Sequence, residues 1–204
     1  MKKFFMVTPQ QQPGKLLPQT YMPQGNSLLE YGETHFPIIP LINGYADNGE
    51  TVQVVTVTYD QSNCMHNLEI LKQELADLRN NQGIECQLES IVVPVDDSVS
   101  AVLRVFQELI NRTADDDVLH ACITFGSKPM PLVLVMALQY AYRIKENASI
   151  ECVVYGAIDY DAEPPYPSKI YDVTSLVKLD EIVRLLAERG IKDPEVILSQ
   201  IIAE

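Results

Sequence analysis

Several absences narrow the chemistry before anything present is weighed. The four cysteines, Cys64, Cys86, Cys122 and Cys152, show no Cys-x-x-Cys pair or other metal-ligand spacing, so no metal site and no cofactor is expected. Cys122 and Cys152 fall in predicted core strands, where a free thiol acts as a small apolar side chain. That usage fits a reducing cytoplasm better than a disulfide framework. Positive charge is scarce. Fifteen Lys and Arg stand against 28 Asp and Glu, a net charge of −13, which repels a partner such as duplex DNA. A small anion held locally by backbone N–H groups is not excluded. Long apolar runs are missing too. The N-terminal Phe4–Val7 run stops at Thr8-Pro9, short of a signal-peptide core. Leu132–Leu138 falls far below the roughly 18 residues of a membrane span. A soluble, cytoplasmic chain without a membrane partner is expected.

What is present is ordinary globular composition, 47% hydrophobic and 21% charged over 204 residues. Strand-like runs occur at Lys3–Thr8, Val52–Thr58, Ser90–Val93, Val118–Thr124 and Ile150–Tyr155. Helical patterns lie between and after them at Asn67–Asn80, Ser98–Asn111, Met130–Arg143 and Leu179–Arg189. In the first helix Leu68, Leu71, Leu75 and Leu78 recur at steps of three and four, one apolar face. Gly83 and Gly190 sit where left-handed C-terminal caps belong. This alternation predicts an α/β fold, a Rossmann-like parallel sheet core with helices on both faces. Residues 9–46 form a proline-punctuated insert or hairpin region, longer than ordinary connections and for that reason a candidate functional loop. The tail after Gly190 reads as one short amphipathic helix.

Ligands of open α/β sheets bind beyond the carboxyl ends of the strands. Three such ends are polar here: Thr8-Pro9-Gln10, Thr58-Tyr59-Asp60-Gln61-Ser62 and Thr124-Phe125-Gly126-Ser127-Lys128. The last leads straight into a helix whose dipole and free N–H groups favour an anion. Gly126 allows close backbone approach, while Ser127 and Lys128 add a donor and a positive charge. A plainer alternative stands beside it: Gly126 turns the chain, Ser127 caps the helix and Lys128 is solvated. Neither G-x-G-x-x-G nor G-x-x-x-x-G-K-[ST] occurs, which argues against an ordinary dinucleotide enzyme or P-loop NTPase.

The stretch CITFGSKPMPLVLVMALQY, the VVYGA strand after it and the IYDVTSLVKLDEIVRLL segment together resemble the CRISPR-associated Rossmann fold (CARF) domains, over Lys2 to about Leu186. Cys122 departs from the usual acidic or amide residue, and Phe125 from the usual His or Gly. Lys128 matches the lysine of one branch. The resemblance implies a homodimeric receptor for cyclic oligoadenylate, the RNA messenger of type III CRISPR antiviral defence, bound across the twofold axis; cyclic tetra-adenylate is the expected ring. It implies Gly126, Ser127 and Lys128 at phosphates, Thr8 and Gln10 facing the same ring, and Thr58 and Tyr59 bordering an adenine. Thr124 and Met130 complete the expected ligand-binding set. Tyr59 as surface filler is the competing reading. On this basis residues 1–176 form a single CARF-like domain and residues 177–204 a helical extension.

No Arg-x(4–6)-His pair of the ribonuclease domains that often accompany this family is present, since seven residues separate Arg112 and His120. Three possibilities follow. A ring nuclease would cleave the messenger by attack of a ribose 2′-OH on its own phosphate, without metal, with Lys128, Ser127 and Thr8 as catalytic candidates. A non-catalytic sensing subunit would act on a separate effector protein. The third is a piece of a longer chain. Outside the family, a non-CRISPR nucleotide- or phosphosugar-binding protein would use an acid–base pair near the strand ends, where Asp60, Asp159 and Asp161 are the acids available and the last two read rather as an acidic loop.

Overall fold

The computed structural model describes residues 1–163, 166–193 and 195. Five parallel strands form the centre: β1 (Lys2–Val7), β5 (Thr51–Tyr59), β6 (Glu85–Val93), β7 (Val118–Cys122) and β8 (Ser149–Ile158). Their spatial order is β8-β7-β1-β5-β6, so the chain winds outward from β1 in one direction, then returns to wind in the other. The Rossmann-like α/β architecture is therefore present, with its switch point between β1 and β7.

The sheet is larger and less purely parallel than the sequence indicates. β9 (Ser168–Asp172) pairs antiparallel with β8, and β3 (Met22–Gln24), from within the insert, pairs parallel with β9, giving seven strands. Both were missed because they are short and their partners lie far off in the chain; Met22 pairs with Lys169. Two further residue pairs, β2 (Gln19–Thr20) and β4 (Glu33–Thr34), make a small antiparallel ribbon.

Helices cover both faces. α1 (Ile38–Tyr45) and α2 (Ser62–Gln82) pack on one side, where Phe4, Met6, Val52 and Val54 meet Ile38, Leu41, Leu71 and Leu78. α3 (Val99–Asn111) and α4 (Pro129–Ile144) pack on the other, around Phe5, Val7, Val55 and Val57, joined by Val177 of α5 (Thr174–Glu188). Each fully buried leucine on α2 contributes about 1.5–3 kcal/mol. α2 starts five residues earlier than its leucine repeat suggests and ends at Gly83, whose φ of +70° provides the left-handed cap. α5 begins at Thr174, earlier than the predicted Leu179. The helix expected in the tail beyond Gly190 lies almost wholly outside the described residues. No helix among the described residues is long and apolar enough to cross a membrane.

The insert is a packed element rather than an open loop. Its Leu29, Phe36 and Ile38 are fully buried, and Glu74 of α2 accepts hydrogen bonds from the Thr34 hydroxyl and the His35 amide. A Cβ on Gly44 would lie 2.2 Å from the Leu28 carbonyl oxygen, and one on Gly156 would lie 2.4 Å from Pro37 Cγ. The insert thus seats itself where only glycine leaves room.

Candidate functional site

The Phe125–Lys128 loop joins β7 to α4 at the switch point. Gly126 has φ +116°, and a Cβ there would stand 3.0 Å from Met130 Cβ and 3.1 Å from Val7 Cγ1. The loop can therefore cross the end of β1 only with glycine at this place. Phe125 packs edge-on against Phe36 of the insert, centroids 6.4 Å apart. Met130 is buried beneath the first turn of α4, a packing residue rather than a ligand contact.

Helix α4 starts without a side-chain cap. Lys128 occupies the N-cap position and Pro129 the first turn. Ser127, the residue expected to cap it, is engaged elsewhere: its hydroxyl donates to Asp97 Oδ1 at 2.7 Å and lies 2.7 Å from the Tyr59 hydroxyl. Ser127 has one proton, so the phenol donates to it. Three strand ends are tied together by this Tyr59–Ser127–Asp97 chain. The amides of Phe125, Gly126 and Lys128 donate to no protein acceptor among the described residues. Lys128 is exposed, with no ion-pair partner among them. Unspent amides, a helix N-terminus and an unpaired ammonium form an anion-binding arrangement.

Thr8 and Thr58 lie close by but face elsewhere. Both are fully buried. The Thr8 hydroxyl is shared with Thr56 (2.7 Å) and Thr58 (2.8 Å), and Ser90 donates to Thr58 at 2.8 Å. This row of hydroxyls crosses β1, β5 and β6 inside the molecule and offers nothing to the crevice. Tyr59 is buried as well, at 1% exposure, so it is neither surface filler nor an open base platform. Burial raises its phenol pKa above the ordinary value despite the Ser127 hydrogen bond. Thr124 accepts from the Gly156 amide (2.8 Å) and from the Cys122 thiol (3.2 Å), bracing β7 against β8. Gln10 is half-buried, and its side chain makes no hydrogen bond among the described residues. The segment around it is anchored by Asn67, which donates to the carbonyls of Pro9 (3.0 Å) and Gln11 (2.9 Å).

Of the expected set, then, Gly126, Ser127 and Lys128 stand together in the loop at the switch point, Gln10 follows the end of β1 on a segment tied to α2, and Thr8, Thr58, Tyr59, Thr124 and Met130 are bonded or packed beneath. Asp97 was missed. It stands 30 positions from Ser127, and the packing of α3 against α4, the helices that follow the two loops, brings them together. Asp159 turns an oxygen onto the amide of Asp161 (3.1 Å), a local turn rather than an acid–base pair. Asp60 is exposed at the end of β5.

His120 lies apart from the loop and is no base for it. Its ring is fully buried, stacks on Phe4 with centroids 4.4 Å apart, and neither nitrogen has a hydrogen-bond partner among the described residues. Burial pushes its pKa down to about 4; the Glu151 carboxylate stands 3.5 Å from Nε2.

No family model matches the chain, and no curated protein matches it.

Proposed function

We propose that this chain binds cyclic oligoadenylate at the Phe125–Lys128 loop as a homodimer, acting as a sensing subunit for the messenger. The observation that carries the reading is Lys128, a cation without an ion-pair partner among the described residues, at a helix N-terminus beside amides without acceptors among them, on a chain of net negative charge. Such a site suits a phosphodiester, and a cyclic ligand with twofold symmetry suits two copies of one loop.

The surface of α4 supports the dimer. Lys128, Leu132, Met136 and Tyr140 follow one another at steps of four, and the three apolar members are 62%, 49% and 46% exposed. They border an apolar groove of about 820 Å³ against α5. Unpartnered apolar stripes of this kind mark interaction surfaces. A copy of the same helix packed there would bury the stripe with both lysines at its margin.

Binding without cleavage is the form the local geometry favours. Ring cleavage needs aimed donors at the phosphorane and a group to orient the attacking 2′-OH. Thr8 turns its hydroxyl into the sheet, and Ser127 gives its proton to Asp97. The reading is tested by mixing purified protein with cyclic tetra- and hexa-adenylate without metal and resolving the bound fraction by chromatography. Retained, intact ring is expected. Linear products ending in a 2′,3′-cyclic phosphate would assign a nuclease instead, and retention of neither ring would remove the reading.

A further inference from the structure

The outermost strand of the parallel half, β6, has one edge without a neighbouring strand among the described residues. The Val93 carbonyl accepts from Asp60 (2.7 Å) and the Glu85 amide donates to Glu50 (2.9 Å), both toward β5. Since backbone groups alternate sides along a strand, the amides and carbonyls of Cys86, Leu88, Ser90 and Val92 point outward. Exposed edges are usually guarded by lysine, proline or a bulge. β6 has no lysine or proline, and its register with β5 runs unbroken from Glu85 to Val93. Its charges, Glu85 and Glu89, sit in the first half, which leaves Ser90-Ile91-Val92-Val93 uncharged and mostly β-branched.

A cavity of about 440 Å³ runs beside that unguarded half, walled by residues 90–94 and by Ala101, Arg104 and Val105 of α3. Its other walls include Met130 of α4, so the cavity lies on the α3–α4 face of the sheet and meets the last four residues of β6 there. Most of its polar groups are already committed. Arg112 is held by Glu89 (2.7 Å) and Glu108 (2.6 Å). The Asp96 oxygens accept from the Ser98 amide (2.8 Å) and hydroxyl (3.0 Å). Arg104 is exposed and makes no ion pair within 4 Å among the described residues; its charge reaches Asp96 and helps hold that carboxyl below its ordinary pKa.

We infer that β6 accepts an extended peptide segment of a partner protein as an added strand. The segment fits as about four uncharged residues, apolar at alternate positions, with an acidic side chain set against Arg104. Strand addition satisfies the outward row of backbone groups, and the slot between β6 and α3 receives the alternate side chains. A second copy of β6 serves less well, because its uncharged half has no acid to offer Arg104 and Glu89 is already paired with Arg112. The surface is separate from the Phe125–Lys128 loop and does not depend on the anion reading.

The test pans a random heptapeptide display library on the purified full chain. Enrichment of alternating apolar sequences carrying one acid is expected. Val92→Pro removes one outward amide and leaves the β5 ladder intact, so the enriched peptides should bind it about tenfold more weakly or worse. Arg104→Glu should switch the enriched charge from acidic to basic. If Val92→Pro melts early, peptides N-methylated at alternate positions give the same reading on the wild-type chain by losing binding. No enriched sequence family, or peptides indifferent to Val92→Pro and to N-methylation, would overturn the proposal. So would a concentration-dependent dimer that Val92→Pro dissociates, which would give the edge to a second copy.

Discussion

Ser127 donates to Asp97 across 2.7 Å while Tyr59 donates to Ser127 across the same distance. A carboxylate thereby stands beside the loop that is otherwise suited to phosphate. Its field opposes an anionic ligand, and its hydrogen bond holds the one hydroxyl the loop could offer.

Replacing that carboxylate should strengthen anion binding. Exposed charge pairs are worth about 0.2–1 kcal/mol, so Asp97→Asn should tighten binding of cyclic tetra-adenylate by up to about fivefold. Titration at low and at high salt checks it, since the gain should shrink as salt rises. Unchanged or weaker binding would place Asp97 outside the ligand's field.

Gly126 is held by sterics rather than by ligand. Gly126→Ala must adopt φ +116° and press a methyl against Met130 and Val7. A loss of about 1–3 kcal/mol of folding stability is expected from such strain, measured by urea denaturation of the ligand-free chain. A neutral result would mean the loop has another conformation open to it.

Gly156→Ala tests how the insert is seated. The new Cβ would lie 2.4 Å from Pro37 Cγ and 3.2 Å from Tyr21 Cε1. The insert should lift, with faster amide exchange across residues 19–37 and slower change in α3 and α4, which lie on the opposite face. Equal change on both faces would contradict that placement.

His120 should make stability depend on acid. Folded, it titrates at about 4, below its ordinary value of 6.5. Between those values the unfolded chain binds the extra proton, so stability is complete above about pH 6.5 and falls as pH drops toward 4. The slope from this one group is at most about 1.4 kcal/mol per pH unit. His120→Phe keeps the stacking on Phe4 and removes two unpaired nitrogens, so the variant should be the more stable at pH 5. Chemical denaturation of both proteins at pH 5 and pH 7.5 gives the difference; an identical pH dependence would refute it.

Much of the scaffold was legible because periodicity survives tertiary context where runs are long. The leucines of α2 and the β-branched run of β5 needed nothing else. The insert was not legible: its prolines break any period, α1 is only eight residues, and β3 owes its existence to a partner near the other end of the chain. At the site, the Gly-Ser-Lys loop announced itself by chemistry, but side-chain direction did not. Strand alternation held the missing clue for Thr8. Phe4 and Met6 face α1 and α2, and continuing that parity turns Thr8 toward Thr56 and Thr58 rather than the crevice. Asp97 left no comparable trace, because its role arises only when α3 and α4 pack side by side and bring the two distant loops that precede them together.

The most direct measurement is calorimetric titration of cyclic tetra-adenylate into the wild-type chain and into Lys128→Ala. Lys128 is exposed and unpaired, so the variant should keep wild-type stability within about 0.5 kcal/mol. Saturable binding of one ring per two chains, abolished in the stably folded variant, is the predicted result. An absence of binding to wild type, or equal affinity in Lys128→Ala, would contradict the account.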